Sequence, residues 1–218
     1  MARTLDGWMD FIRSRTAVTR VPLVPEIELY QATEMTELWR ATAADLEGWD
    51  DSPFWAFPWA GGQALARHVL DHPEVVAGLR VADFGTGSGL VAIAASLAGA
   101  ASVVAFDVDP FCEGAVRLNA GRNGAVVDFE ARSPLGDLLA VDVILAGDVF
   151  YERRMAEAFL LWGRALAGRG IRVLAGDPGR LYSPREGVRD RGVQDVPTSA
   201  AIEDRVLMKT WILELLPE

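Results

Sequence analysis

The sequence predicts a single α/β domain built on a mostly parallel sheet with helices on both faces. Three observations predict it. From residue 80 onward, short and nearly continuous apolar runs alternate with helical patterns, which is how strands buried on both faces read. A glycine-rich turn, "VADFGTGSG" (81–89), joins the first of these strands to the helix that follows. The chain has 218 residues, is 50% hydrophobic, and shows neither an internal repeat nor a linker that would divide it.

The elements follow in order. Leu5, Trp8, Met9 and Ile12 recur at helical spacing and predict an amphipathic N-terminal helix. "VPLVPEIELY" (21–30) carries two prolines and reads as an extended connector that pairs briefly as an edge strand. "TEMTELWRATAADLEGW" (33–49) reads as a helix, with Thr33 or Thr36 as its cap. The aromatic-rich stretch 50–62 is a loop, and a helix over 61–72 stops near Pro73. Strands are expected at "RVADF" (80–84), "ASVVAFDVD" (101–109), "AVVDF" (125–129), "VDVILAGD" (141–148) and "IRVLAGDP" (171–178). Helices are expected at 89–99, at 110–124 with Pro at its start and Gly beyond its end, and at 151–168. The tail "EDRVLMKTWILELL" (203–216) is expected to give one or two antiparallel strands that close the sheet edge.

Composition narrows the function. The net charge is −10, which disfavours nucleic acid as a partner and suits a basic, lysine-bearing one. The single cysteine, Cys112, excludes an intramolecular disulfide and a cysteine-based zinc site, and points to a reducing compartment. No apolar run reaches the ~20 residues of a membrane span, so no membrane partner is expected. Arg3, Arg13, Arg15 and Arg20 give the N-terminus some transit-peptide character, but Asp6 and Asp10 interrupt it. A cytoplasmic location is therefore expected, ahead of the mitochondrial matrix.

Ligands of open α/β sheets sit beyond the carboxyl ends of the strands, where residues 81–89 lie. Gly85, Gly87 and Gly89 permit a sharp turn and a close approach to a ligand, with Thr86 between the first two. The spacing is G-x-G-x-G, not the G-x-G-x-x-G of dinucleotide sites. Asp83, two residues before the first glycine, would repel a diphosphate but suits an ammonium group. Asp107 stands 22 residues after Gly85, at the end of the second strand, where a carboxylate accepts hydrogen bonds from ribose hydroxyls. A ligand with a ribose, an amine and no diphosphate fits, and S-adenosylmethionine has those parts. A glycine turn serving only helix–strand packing is the alternative.

The acidic-x-G-x-G-x-G motif followed by "VVAFDVDP" resembles the seven-strand, class I, Rossmann-like S-adenosylmethionine-dependent methyltransferases. "PEIELY", "SPFWAFPWAGGQALARHVLDHPEVV", "GDVFYE" and "AGDPGR", in that order, resemble the lysine methyltransferases of the electron transfer flavoprotein β subunit, which carry a D-x-x-Y-type motif after the fourth strand. The segment 85–110 also resembles the ribosomal protein L11 methyltransferase. The chain is expected to carry an N-terminal helical extension over 1–50 and a methyltransferase domain over 51–218, as one structural unit. The resemblance implies methyl transfer from S-adenosylmethionine, leaving S-adenosylhomocysteine, to lysines of a protein, with no metal and a monomeric enzyme. The implied substrate is the flavoprotein β subunit; a ribosomal protein or a small-molecule amine are the alternatives.

By the same resemblance, Asp148 and Tyr151 form the catalytic D-x-x-Y pair, and Asp148 also borders the cofactor. Asp148 would orient the substrate amine, or cap the helix after it, or both. Trp59 either lies beside the cofactor or joins Trp55 in a hydrophobic plug. Glu130, just past the third strand, either accepts from the adenine amine or is a solvated surface residue. His68 and His72, four apart, read as a surface helix pair, Cys112 as a buried filler, and Asp177 as part of a substrate groove or of a Pro-Gly turn. An intact D-x-x-Y segment favours an enzyme over a cofactor-binding protein without activity.

Overall fold

The computed structural model describes residues 4–32, 38, 53–198 and 205–218. The helix expected over 33–49 lies outside the described residues apart from Leu38. The chain begins with α1 (Leu5–Arg15), capped by the Thr4 hydroxyl accepting from the Gly7 amide, and a hairpin of β1 (Ala17–Arg20) and β2 (Glu28–Gln31). After a short 3₁₀ turn (Phe54–Ala56) come α2 (Ala60–Asp71), β3 (Arg80–Phe84), α3 (Leu90–Leu97), β4 (Ser102–Asp107) and α4 (Pro110–Asn123). Then follow β5 (Asp128–Ala131), β6 (Val143–Gly147), α5 (Arg153–Ala167), β7 (Arg172–Asp177), β8 (Val188–Pro197) and β9 (Leu207–Leu215).

Strands β3 to β9 form one seven-stranded sheet in the order β5-β4-β3-β6-β7-β9-β8. The pairs β3–β4, β3–β6, β4–β5 and β6–β7 are parallel, and β9 runs antiparallel to both neighbours. The reversal thus falls at the expected end of the sheet. It is carried by the tail, inserted between β7 and the outermost strand β8. That outermost strand was not legible: it is exposed over most of its length, so it lacks the apolar run that marks a buried strand. Among the described residues, no helix is long and apolar enough to cross a membrane.

Alternate residues of each inner strand feed opposite faces. Val81, Val103, Leu145 and Leu174 pack under α2 and α3. Ala82, Phe84, Ile144, Ala146 and Val173 pack on α5 through Phe159 and Trp162. The switch point between β3 and β4 therefore opens upward between two packed layers.

The N-terminal segment is welded to the helices beside that opening. Phe11 and Ile12 of α1 join Trp55, Phe57 and Phe111 in one buried cluster. Val21, Val24, Ile27 and Leu29 pack on Leu90, Ile93 and Ala94 of α3. Strand β2 finds polar partners on α4 instead of in the main sheet. The Glu28 amide donates to the Asn123 side-chain carbonyl at 2.9 Å, and the Tyr30 amide to that of Asn119 at 2.8 Å. The Asn119 side-chain amine in turn donates to the Ser88 carbonyl at 2.8 Å, inside the glycine turn. Asn119 is fully buried, so removing it strands two backbone groups. Asn119→Ala is expected to lower stability by about 2 kcal/mol or more, read from urea unfolding; an unchanged midpoint would show that this bridge does not hold the extension to the turn.

Candidate active site

A cavity of about 450 Å³ opens at the carboxyl ends of β3, β4 and β6. It brings together Trp59, Asp83, Gly85, Thr86, Gly87, Asp107, Asp148 and Tyr151 from the sequence expectations, and adds Arg180. Gly89 and Glu130 are not among the lining residues.

One end of the cavity is the glycine turn. Gly85, Gly87 and Gly89 take φ of 65°, 52° and 83°, the left-handed region that disfavours side chains. Gly89 lies behind the lining, as the N-cap of α3. The Gly85 and Thr86 amides both donate to the Phe106 carbonyl, at 3.0 and 3.1 Å, which ties the turn to β4. Two carboxylates fix it further. Oδ2 of Asp83 accepts from the Thr86 hydroxyl at 2.6 Å and the Ala92 amide at 3.0 Å, pinning the turn to the first turn of α3. Oδ2 of Asp107 accepts from the Gly87 amide at 2.9 Å, and Oδ1 from the Asp109 amide at 3.1 Å. Burial raises the pKa of Asp83 from 3.8 to about 7, against the two hydrogen bonds that favour its charged form.

The other end is built around Asp148. It is the one non-glycine residue at positive φ (57°) among those described, a conformation that Asp tolerates. The N-terminus of α2 drives straight at it. Gly61 and Gly62 lie against Gly147 and Gly176 at the ends of β6 and β7: a Cβ on Gly61 would stand 2.2 Å from the Gly176 carbonyl oxygen, and one on Gly147 would stand 2.8 Å from the Gly62 Cα. This contact lets the Gly62 amide donate to Oδ2 of Asp148 at 3.0 Å. The positive end of the α2 dipole thus faces a carboxylate. Oδ1 of Asp148 accepts from Arg180, at 2.6 Å from Nη2 and 3.2 Å from Nε. Arg180 is positioned by the turn after β7, where buried Asp177 accepts from the Gly179 amide at 2.8 Å and the Arg180 amide at 3.2 Å. Asp177 therefore builds a turn.

Aromatic side chains wall the mouth. Trp59 precedes α2, and its Nε1 donates to the Phe54 carbonyl at 2.9 Å. The Phe54 ring lies 5.5 Å from Trp59 and 5.8 Å from Tyr151, centroid to centroid. Tyr151 is 51% exposed at the mouth, and partial burial raises its pKa. Trp55 is buried and stacks on Phe111 at 5.6 Å, as the plug reading has it.

Several expectations change. The cap of α5 is Glu152, not Asp148: the Glu152 carboxylate accepts from the Arg154 and Met155 amides. Glu130 is exposed and paired with Arg132 at 2.7 Å; Arg132 and the residues just after it line the cavity instead. His68 is buried, its ring 4.8 Å from that of His72, and burial lowers its pKa. No group of metal-ligating side chains occurs among the described residues. Cys112 is buried, and burial pushes its thiol well up, away from thiolate chemistry. Arg180 was not singled out as a site residue; the one signal available was its place at the end of "AGDPGR", one residue beyond the Pro-Gly turn.

The raised pKa of Asp83 gives a signed test. Between about pH 4 and pH 7 the unfolded chain has lost this proton and the ligand-free fold has kept it, so folding stability falls as pH rises through that window. Asp83→Asn removes this dependence. Its urea midpoint relative to the parent chain is expected to climb between pH 4 and pH 8; a constant difference would contradict the buried, proton-holding carboxyl.

Comparison with known proteins fits this architecture. The family described as ribosomal protein L11 methyltransferase (PrmA) matches residues 64–148. The electron transfer flavoprotein β subunit lysine methyltransferase of Xenopus laevis is 42% identical over 173 residues, covering 78% of this chain and 70% of the relative. That of Rattus norvegicus is 40% identical over 187 residues, covering 82% and 72%. Magnesium protoporphyrin IX methyltransferase from Synechocystis, solved with bound S-adenosylmethionine, shares the fold with a TM-score of 0.52 at 18% identity, over 71% of this chain and 79% of that one. With this degree of identity across both proteins, the chain belongs to the family of electron transfer flavoprotein β subunit lysine methyltransferases.

Proposed function

We propose that this protein transfers methyl groups from S-adenosylmethionine to lysine side chains of a protein, and that this protein is the electron transfer flavoprotein β subunit. The observation that carries the reading is Asp148: a carboxylate held in one orientation, between the glycine turn and the aromatic mouth. The relatives named for this substrate match this chain across both regions. The PrmA match ends at residue 148, before Tyr151 and Arg180. It covers the glycine turn, which supports a ribosomal protein only as the second reading.

The cavity suits the cofactor. Asp83, Asp107 and Asp148 all face it, an unfavourable surround for a diphosphate and a favourable one for a ligand bearing cationic groups. A side chain at Gly85 or Gly87 would be strained at those φ values and would fill the cradle. Asp107 would hold the ribose hydroxyls, while Asp83 and Thr86 with the turn glycines would hold the methionine end, and Trp59 would lie at the far side. When bound, the cofactor supplies an electrophilic methyl group on a cationic sulfur.

The chain's own residues do the rest. Methyl transfer needs the amine lone pair aligned with the methyl carbon, and positioning accounts for much of such catalysis. A lysine with a pKa near 10.4 costs about 4–5 kcal/mol to deprotonate at pH 7. Asp148 accepts a hydrogen bond from the amine and fixes its direction; the proton leaves to water. Tyr151 and Phe54 flank the aliphatic stem. In this reading residues 51–218 form the methyltransferase unit and residues 1–50 its N-terminal extension, whose described part buttresses it.

The test is incubation of the protein with labelled S-adenosylmethionine and cell extract, followed by mass spectrometry of the labelled bands. Lysine methylation of the flavoprotein β subunit is expected; labelling confined to ribosomal proteins would favour the second reading. Asp148→Ala is expected to lower transfer by about 100-fold or more while cofactor affinity stays within a few-fold by calorimetry. Near-normal turnover in that variant would remove Asp148 from the reaction.

A further inference from the structure

An anion beside the substrate amine poses a problem. It orients the amine but also stabilises its ammonium form, raising the very pKa that must fall. The structure carries a counterweight. Arg180 meets Oδ1 of Asp148 through two nitrogens, with side chains only 21% and 10% exposed. Its backbone is anchored by Asp177, and its guanidinium carbon lies 6.0 Å from the Trp59 ring centroid. Both members of the pair line the cavity. This is a charge placed at the reacting end of the site.

Resting on the lysine-methylation reading, we propose that Arg180 is a positioning residue that offsets the charge of Asp148, so that Asp148 orients the substrate amine without holding it protonated. A carboxylate offers about four acceptor positions. The Gly62 amide and the guanidinium both bond this carboxylate and fix the direction in which it accepts. The guanidinium also stands as a like charge to an ammonium brought to the same carboxylate, and disfavours that form. Among the described residues, the other charged or titratable groups facing this space are Asp83 and Asp107 at the glycine turn, Asp109 and Cys112 at the start of α4, Arg132 after β5, and Tyr151 at the mouth. Of these, Arg132 is turned toward Glu130 and Asp137, and both acids of the glycine turn are engaged by backbone amides. Among the described residues, Arg180 is thus the cation in direct contact with Asp148.

The test is the pH dependence of single-turnover methyl transfer at saturating protein substrate, because the acid limb then reports the amine within the complex. Labelled S-adenosylmethionine and the substrate found by mass spectrometry are used, with Arg180→Met, Arg180→Gln and Arg180→Lys. In Met and Gln the acid limb is expected to move to higher pH by about one unit, so that transfer is about 10-fold slower at pH 7 and approaches the parent rate near pH 9.5. Lys is expected to restore the position of the limb. Affinity for S-adenosylmethionine, measured by calorimetry, should stay within about threefold in all three. Because loss of one partner of a buried pair can unfold a protein, thermal melting accompanies each variant, and the limb in any folded neutral variant decides. An unmoved limb, or a loss of rate equal at every pH, overturns the proposal while leaving the function standing. A parent protein that labels no lysine in any protein overturns the functional reading, and this proposal with it.

Discussion

The site depends on one close contact: the N-terminus of α2 pressed against the carboxyl ends of β6 and β7. Four glycines make it, Gly61 and Gly62 on the helix and Gly147 and Gly176 on the strands; Gly61, Gly147 and Gly176 have backbone where a side chain would stand, and Gly62 supplies the backbone that faces Gly147. A helix normally meets a sheet at about side-chain distance, near 10 Å. Here the approach is short enough for a helix amide to reach Asp148. The consequences run outward. Asp148 takes a left-handed backbone and its amide donates to the Gly176 carbonyl. Trp59, immediately before the helix, is brought to the mouth, and Arg180, from the turn after β7, bonds the same carboxylate.

The cavity has two ends with different electrostatics. At the glycine turn, Asp83 and Asp107 accept from backbone amides and a hydroxyl, which fixes the turn, and the Asp107 carboxylate lines the cavity there. At the α2 end, Asp148 is balanced by a guanidinium and a helix N-terminus. The first arrangement suits holding a cation-bearing ligand; the second suits orienting a neutral amine. The N-terminal segment matters to the first end, because Asn119 links Tyr30 to Ser88 and so couples the hairpin to the turn.

Much of this was legible in the sequence where the cause is local. The inner strands show as apolar runs because both their faces are buried, and the glycine turn shows because its φ values exclude other residues. Asp107 and Asp148 were findable as acids at strand ends. What escaped depends on distant partners. Strand β8 is polar because one edge faces solvent, and β1 is exposed throughout, so neither has a periodic signature. The capping of α5 by Glu152 instead of Asp148 turns on which carboxylate Arg180 and Gly62 engage, 32 and 86 residues away. Glu130 lies within β5 at the edge of the sheet and outside the cavity lining, and its pairing with Arg132 is a surface matter. His68 sits on the inner face of α2, which the tail strands help cover, and no pattern around His68 itself reports that.

The most direct test of the central contact is Gly61→Ala. The added methyl would stand 2.2 Å from the Gly176 carbonyl oxygen and 2.5 Å from Oδ2 of Asp148, so helix and carboxylate must part. Methyl transfer measured beside S-adenosylmethionine affinity should show a loss of about 100-fold in rate, as displacement of a positioning group by about 1 Å produces, with affinity changed by no more than about fivefold because the glycine turn is untouched. Turnover close to that of the parent chain would contradict the account.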